Sequence, residues 1–205
     1  MRLAAVMIMA ALVGGRIWAG EPASIAANRT VRVCMDSGSD IRTLDLAQEL
    51  ASGIFADAGV RIEWLHPPHS PRSCSTGRKV DADIIVVSLS YYTPKDQLPG
   101  AWAYARPYEG SHIVVFYDRV REKMPSGVSI LLGHELAHEI THILQGASRH
   151  SASGLMKPQW GAADLAEMGR KPLGFAEEDV LLINQGLDAR NRIPPAQTLS
   201  ANRDK

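Results

Sequence analysis

The stretch HELAHEITHILQGASRH, residues 134–150, decides the fold. It holds two overlapping copies of one pattern, because His138 closes His134-Glu135-Leu136-Ala137-His138 and opens His138-Glu139-Ile140-Thr141-His142. Histidines four apart on a helix project from one face about 6 Å apart along the axis, so both imidazoles of either copy can reach one metal ion. A catalytic zinc needs a third protein ligand and an open position. One straight helix cannot supply it, since His134 and His142 would stand about 12 Å apart. The chain has to turn back. Gly146 offers that turn just after His142, and His150 arrives four residues later. The second copy therefore gains a third imidazole that the first lacks. His138, His142 and His150 are the expected zinc ligands, with Glu139 as general base. His134 is left over and is read as a surface or hydrogen-bonded histidine, or as one that supports the ligands or touches substrate. Glu135 belongs to the rejected copy and is expected to matter little to the rate.

The surrounding pattern makes this stretch a buried helix from about Val128 to Gln145, with Ser126 or Ser129 as candidate cap and Gly146 as its end. Leu132, Leu136, Ile140 and Leu144 form an apolar stripe that Val128, Leu131 and Ile143 widen. Upstream, Thr30–Met35 alternates as a strand, Ile41 to Phe55 recurs at helical spacing as far as Gly59, and Val60–Leu65 alternates again. Ala82–Leu89 is nearly all apolar, as a central strand buried on both faces should be. Ala101–Ala105 and His112–Tyr117 read as two short strands, and Pro107 and Gly110 between them make the first an edge. Downstream, a loop region broken by Gly154, Pro158, Gly161, Gly169, Pro172 and Gly174 leads to an amphipathic helix over Phe175–Leu187. The expected fold class is α/β (α+β), with about five strands in one mixed sheet.

The bulk properties narrow the function. The 205 residues suit one domain, expected over 28–190, and 45% are hydrophobic. The 22 basic and 22 acidic side chains cancel, which gives no ground for nucleic acid or an anionic membrane as partner. Arg2 followed by the apolar run Leu3–Val13 and small residues reads as a signal peptide over 1–20, cleaved between Ala19 and Ala23. That run is shorter than the roughly 20 residues that span a bilayer, so no stable membrane insertion is expected. A secreted or periplasmic, monomeric protein is expected. In an oxidising compartment the two cysteines, Cys34 and Cys74, should form a disulfide, worth about 4 kcal/mol in the chain-entropy description. The tail from Asn191 (191–205), with its prolines and few apolar residues, is expected to be disordered.

HEITHILQGASRH followed by SASGLMKPQW resembles the metzincin zinc metallopeptidases, in particular matrixin-like and archaemetzincin-like members, whose pattern is HExxHxxGxxH followed by a methionine turn. The spacing departs from that pattern. One extra residue precedes the glycine and one follows it, giving HExxHxxxGxxxH and placing Ser148 where the third histidine would stand. The resemblance implies that Gly154-Leu155-Met156 is the turn whose methionine underlies the imidazoles, that Lys157–Trp160 borders a specificity pocket, and that the last helix closes a C-terminal subdomain. It implies Zn²⁺ as cofactor and a protein or peptide as substrate. An extended substrate should pair with the edge strand at Ala101, Trp102, Ala103 and Tyr104, with Trp160 nearby.

In the mechanism expected for such a site, zinc lowers the pKa of a bound water, and Glu139 takes its proton and passes it to the leaving amine. Two other readings use the same residues. One is a non-catalytic zinc-binding or peptide-binding protein on the same fold, against which the intact Glu139 speaks. The other is a zinc hydrolase of another class, with Asp164 or Glu167 as third ligand.

Overall fold

The computed structural model describes residues 29–35, 40–66, 84–108 and 111–192. The signal segment, Cys74 and the tail beyond residue 192 lie outside the described residues. Cys34, buried in the first strand, is disulfide-bonded.

Five strands, β1 (Thr30–Met35), β2 (Arg61–Leu65), β3 (Ile84–Ser90), β4 (Ala103–Ala105) and β5 (His112–Phe116), form one sheet in the order β2-β1-β3-β5-β4. The first four in that order run parallel, and β4 alone is antiparallel to its neighbour β5. The apolar β3 is central and the short β4 is an edge, as expected from their sequences. Helices α1 (Ile41–Asp57), α2 (Tyr117–Lys123), α3 (Val128–Gln145), α4 (Ala162–Met168) and α5 (Glu177–Asn191) complete the fold. The expected class, a mixed five-stranded sheet with a histidine-bearing helix and a C-terminal helix, is the one observed.

Strand parity explains how the core forms. Val31, Val33 and Met35 of β1, Ile85, Val87 and Leu89 of β3, and Ile113 and Val115 of β5 share one face and belong to the main core with Leu44, Ala47, Ala51 and Phe55 of α1 and Leu132, Leu136 and Ile140 of α3. At the usual 25 cal/mol per Å², each such side chain larger than alanine contributes about 1.5–3 kcal/mol on burial. Gly133 lets α1 and α3 approach, because a Cβ there would sit 2.8 Å from the Ala47 carbonyl oxygen. Gly186 does the same for α5, where a Cβ would lie 1.8 Å from the Leu144 carbonyl oxygen. The α3 backbone is thus walled in from both sides. No helix among the described residues is long and apolar enough to cross a membrane.

Several local expectations need correcting. Helix α3 has the expected bounds, but its N-cap is Gly127 with no side-chain cap, so neither Ser126 nor Ser129 serves. Tyr117 opens α2 instead of ending β5, and β4 begins at Ala103 rather than Ala101. The region after Gly154 is not all loop, because Asp164 accepts a hydrogen bond from the Gly161 N–H at 2.8 Å and starts α4. The last helix begins at Glu177 and runs to Asn191, beyond the expected Leu187.

Candidate metal centre

Helix α3 presents His138 and His142 one turn apart, both buried, and ends at Gly146 with φ 64°, a left-handed conformation that a side chain would strain. The chain turns there and returns His150. The ligand atoms of His138, His142 and His150 all lie within 4.8 Å of one another, and the three form the one group of this kind among the described residues. The extra residues of the spacing are absorbed in the turn. Asp164 and Glu167 are occupied elsewhere: Asp164 caps α4 and pairs with Lys157 at 2.6 Å, and Glu167 pairs with Lys171. A carboxylate third ligand finds no support in this geometry.

The hydrogen bonds of the imidazoles fix what their free nitrogens can do. His138 Nδ1–H donates to the Leu155 carbonyl at 3.0 Å, and His142 Nδ1–H donates to the Ala147 carbonyl at 3.1 Å. With Nδ1 protonated in both, the two Nε2 lone pairs face each other across 3.0 Å. Two lone pairs at that distance repel unless a cation sits between them. Ligand nitrogens about 2.0–2.1 Å from a tetrahedral ion stand about 3.3 Å apart, so the donor set fits zinc. Burial holds His138 down to about 3, aided by the neighbouring His142, and holds His142 down to about 4. Burial also lowers His150. The cluster is therefore neutral and ready to donate without first losing protons.

His134 is no surface residue. It is fully buried, its Nδ1–H donates to the Ile130 carbonyl at 2.7 Å, and its Nε2 accepts the Leu173 N–H at 3.0 Å. Both nitrogens are committed, which leaves the first copy of the motif without a free donor. Of the fates expected for it, the hydrogen-bonded one is observed.

The turn at Gly154-Leu155-Met156 has a physical purpose here. Gly154 takes φ 73°, and a Cβ there would lie 2.6 Å from the Gly174 carbonyl oxygen. This tight passage delivers the Leu155 carbonyl to His138 and also to Trp160 Nε1, 3.1 Å away. Met156 is fully buried, and its carbonyl accepts the Ser151 N–H at 2.7 Å.

Glu139 is buried, and burial raises its carboxyl to about 8 against the opposing hydrogen bond from the Ala105 backbone N–H. A doubly charged ion among the imidazoles would draw it back down. A cavity of about 340 Å³ opens beside it, walled by Gly100–Ala103 on one side and Lys157–Trp160 on the other, with His138, Glu139 and His150 along it. Ala101, Trp102, Ala103 and Trp160 line it. Tyr104 does not, since its ring packs on Phe116 with centroids 5.7 Å apart. Strand alternation explains why, since Ala103 shares the core face with Val115 and Tyr104 points to the other face. The edge is open as well. Phe116 N–H donates to the Trp102 carbonyl and Arg106 N–H to the His112 carbonyl, so the backbone groups of Ala103 and Ala105 point away from β5 toward the open edge.

Three contributors were not foreseen. Asp179 of α5 is fully buried and accepts from Arg149 Nη1 at 2.8 Å, Ser151 Oγ at 2.6 Å and the Ala176 N–H at 3.3 Å. Its first two partners flank His150 directly, so Asp179 sets where the third imidazole stands. Arg149 also pairs with Glu178. Arg119 donates to the carbonyls of Pro94, Gln97, Leu98 and Ala101, clamping the loop that leads into the cavity wall. Glu135, expected to matter little, lines the cavity; burial, with Glu139 close by, pushes its carboxyl well above the usual range. A signal existed only for Glu135, which lies on the same helical face as Glu139 one turn before it.

No protein-family model matches the sequence, and no curated protein matches it. Solved structures do. A zinc-dependent peptidase from Methanocorpusculum labreanum shares the fold with a TM-score of 0.51 at 14% identity, over 75% of this chain and 100% of that one. Archaemetzincin from Methanopyrus kandleri is similar at a TM-score of 0.49 and 18% identity, over 82% and 98%. Archaemetzincin from Archaeoglobus fulgidus, complexed with malonate, is similar at 0.44 and 15%, over 75% and 99%. At such identities the likeness concerns the fold.

Proposed function

We propose that this chain is a zinc-dependent peptidase of archaemetzincin-like fold, with His138, His142 and His150 as the metal ligands and Glu139 as general base. The observation that carries the reading is the convergence of three neutral imidazoles beside a buried carboxyl, on a cavity bounded by a free sheet edge. The structural neighbours, among them the zinc-dependent peptidase of the same fold, support it.

Zinc held by these imidazoles would supply a Lewis acid for a peptide carbonyl and bring the pKa of a bound water toward neutrality. An extended peptide would lie along β4, pairing with the outward backbone groups of Ala103 and with the Ala105 carbonyl. Glu139, fixed beneath that strand by the Ala105 N–H, would take a proton from the attacking water and deliver it to the leaving amine as the C–N bond breaks. Neither step needs a covalent bond to the protein. Export belongs to the same reading, supported by the apolar run at 3–13 and by the disulfide at Cys34.

The test is to measure the metal content of purified protein and its cleavage of a mixed peptide library, with and without a chelator. Bound zinc with chelator-sensitive cleavage is expected. Protein that binds zinc stoichiometrically and cleaves nothing would instead be a zinc-binding or peptide-binding module on a peptidase fold.

A further inference from the structure

Glu135 is 6% exposed, lines the cavity, and makes no hydrogen bond or ion pair among the described residues. Its carboxyl borders the cavity, so a ligand entering there can supply the donor that the protein does not. The cavity's own cations do not. Lys157 is engaged by Asp164 at 2.6 Å, and the Lys123 ammonium lies over the Trp102 ring, 5.5 Å from its centroid. The same cavity is lined by two aromatic rings, Trp102 and Trp160, with centroids 6.2 Å apart. An apolar wall leading to an unpaired carboxyl suits a cation carried on an aliphatic stem.

We infer that Glu135 is a specificity-determining residue that receives a lysine or arginine side chain flanking the scissile bond. The assignment rests on the peptidase reading for the identity of the ligand as a peptide. The cation subsite itself is a property of the cavity. It lies one helical turn before Glu139, so a side chain reaching it belongs to a residue next to the reacting carbonyl. A cation there gains a charge-assisted hydrogen bond, and removing the charge of one partner in a desolvated pair costs about tenfold to a thousandfold in affinity.

Two readouts test this on the protein as purified. In the first, matched peptides carry Lys, norleucine, Gln or Glu at each position flanking the cleaved bond, and kcat/KM is compared. A Lys-over-norleucine ratio of tenfold or more is expected in the parent. The ratio should fall to near unity in Glu135→Gln and be partly kept in Glu135→Asp. A ratio within one preparation does not depend on how much protein is folded. In the second, lysinamide and norleucinamide are titrated against tryptophan fluorescence, which Trp102 and Trp160 report from the cavity wall. Tighter binding of lysinamide, lost in Glu135→Gln, is expected. Peptides cleaved with no preference for cations, or a preference unchanged in Glu135→Gln, would overturn the inference and leave the peptidase reading standing. Glu135-dependent lysinamide binding in a protein that cleaves nothing would overturn the peptidase reading and leave the cation subsite standing. A preference for Gln over Lys would overturn the inference, making Glu135 a neutral hydrogen-bonding acid.

Discussion

Replacing Asp179 by alanine should loosen the third ligand without touching any imidazole. Asp179 holds Arg149 at 2.8 Å and Ser151 at 2.6 Å, and these two residues bracket His150. Hydrogen bonds to charged groups are worth about 1.5–3 kcal/mol each, and breaking a buried pair costs about 3–5 kcal/mol. Arg149 is partly solvated, its side chain 30% exposed, and it keeps Glu178 as a partner, which discounts its share. The expected loss is therefore about 3 kcal/mol of folding stability. With a urea slope of about 1–3 kcal/mol per M, the unfolding midpoint should drop by about 1–3 M. Groups that orient metal-bound histidines typically contribute 10–100-fold to metal affinity, and the same range is expected here. The assays are urea unfolding of the metal-free protein and zinc affinity by competition with a chromophoric chelator. Asp179→Asn, which keeps one acceptor oxygen, should fall between parent and alanine variant. Parent-like zinc affinity in Asp179→Ala, together with an unchanged midpoint, would refute the assignment of Asp179 as the residue that places His150.

Histidine substitutions separate the overlapping motifs. His142→Ala and His150→Ala should each lose most of the zinc, whereas His134→Ala should keep it and lose about 3 kcal/mol of stability, since its removal strands the Leu173 N–H and opens a cavity. Metal analysis beside thermal unfolding checks both, and zinc lost from the His134 variant would reverse the assignment. Glu139→Gln should retain zinc and lower kcat by about 10²- to 10⁴-fold, and full activity in that variant would end the general-base assignment. The same variant reports a pH effect in metal-free protein. Burial raises Glu139 from 4.5 to about 8, so the folded chain binds the extra proton between those values, and this stability is present below pH 4.5 and lost as pH rises through 8. Relative to Glu139→Gln, the parent should therefore lose up to about 1.4 kcal/mol per pH unit across that window, and parallel stability curves would contradict it.

The sequence made α3 legible to the residue because two independent signals coincided there, an apolar stripe too wide for a surface helix and a glycine suited to the left-handed stop. The central and edge strands were legible for similar reasons, composition in β3 and proline and glycine punctuation near β4. Helix α2 was not, because the chain passes from β5 into it at Phe116–Tyr117 with no turn residue and no side-chain cap. Helix α4 hides between two glycines, and the aspartate that starts it has equally the chemistry of a metal ligand. Asp179 follows Glu177 and Glu178 at a helix start, where acidic residues ordinarily complement the helix dipole in solvent, and nothing local separates the one that turns inward. Such long-range pairing, 30 residues from Arg149, is fixed only when the last helix docks.

The bond from Ala105 to Glu139 has a bearing on solubility. A sheet that ends in a bare strand offers its unpaired amides to any other extended chain, and natural proteins shorten or block such margins. Strand β4 is three residues long, and of its two outward-facing residues one has its N–H already taken by a carboxyl of the protein. Too few groups stay open for another copy of the chain to add itself in register. A peptide fixed at the neighbouring histidine cluster would need only those few. The carboxyl proposed to move the proton thus also occupies one of the few open groups on the margin of the sheet.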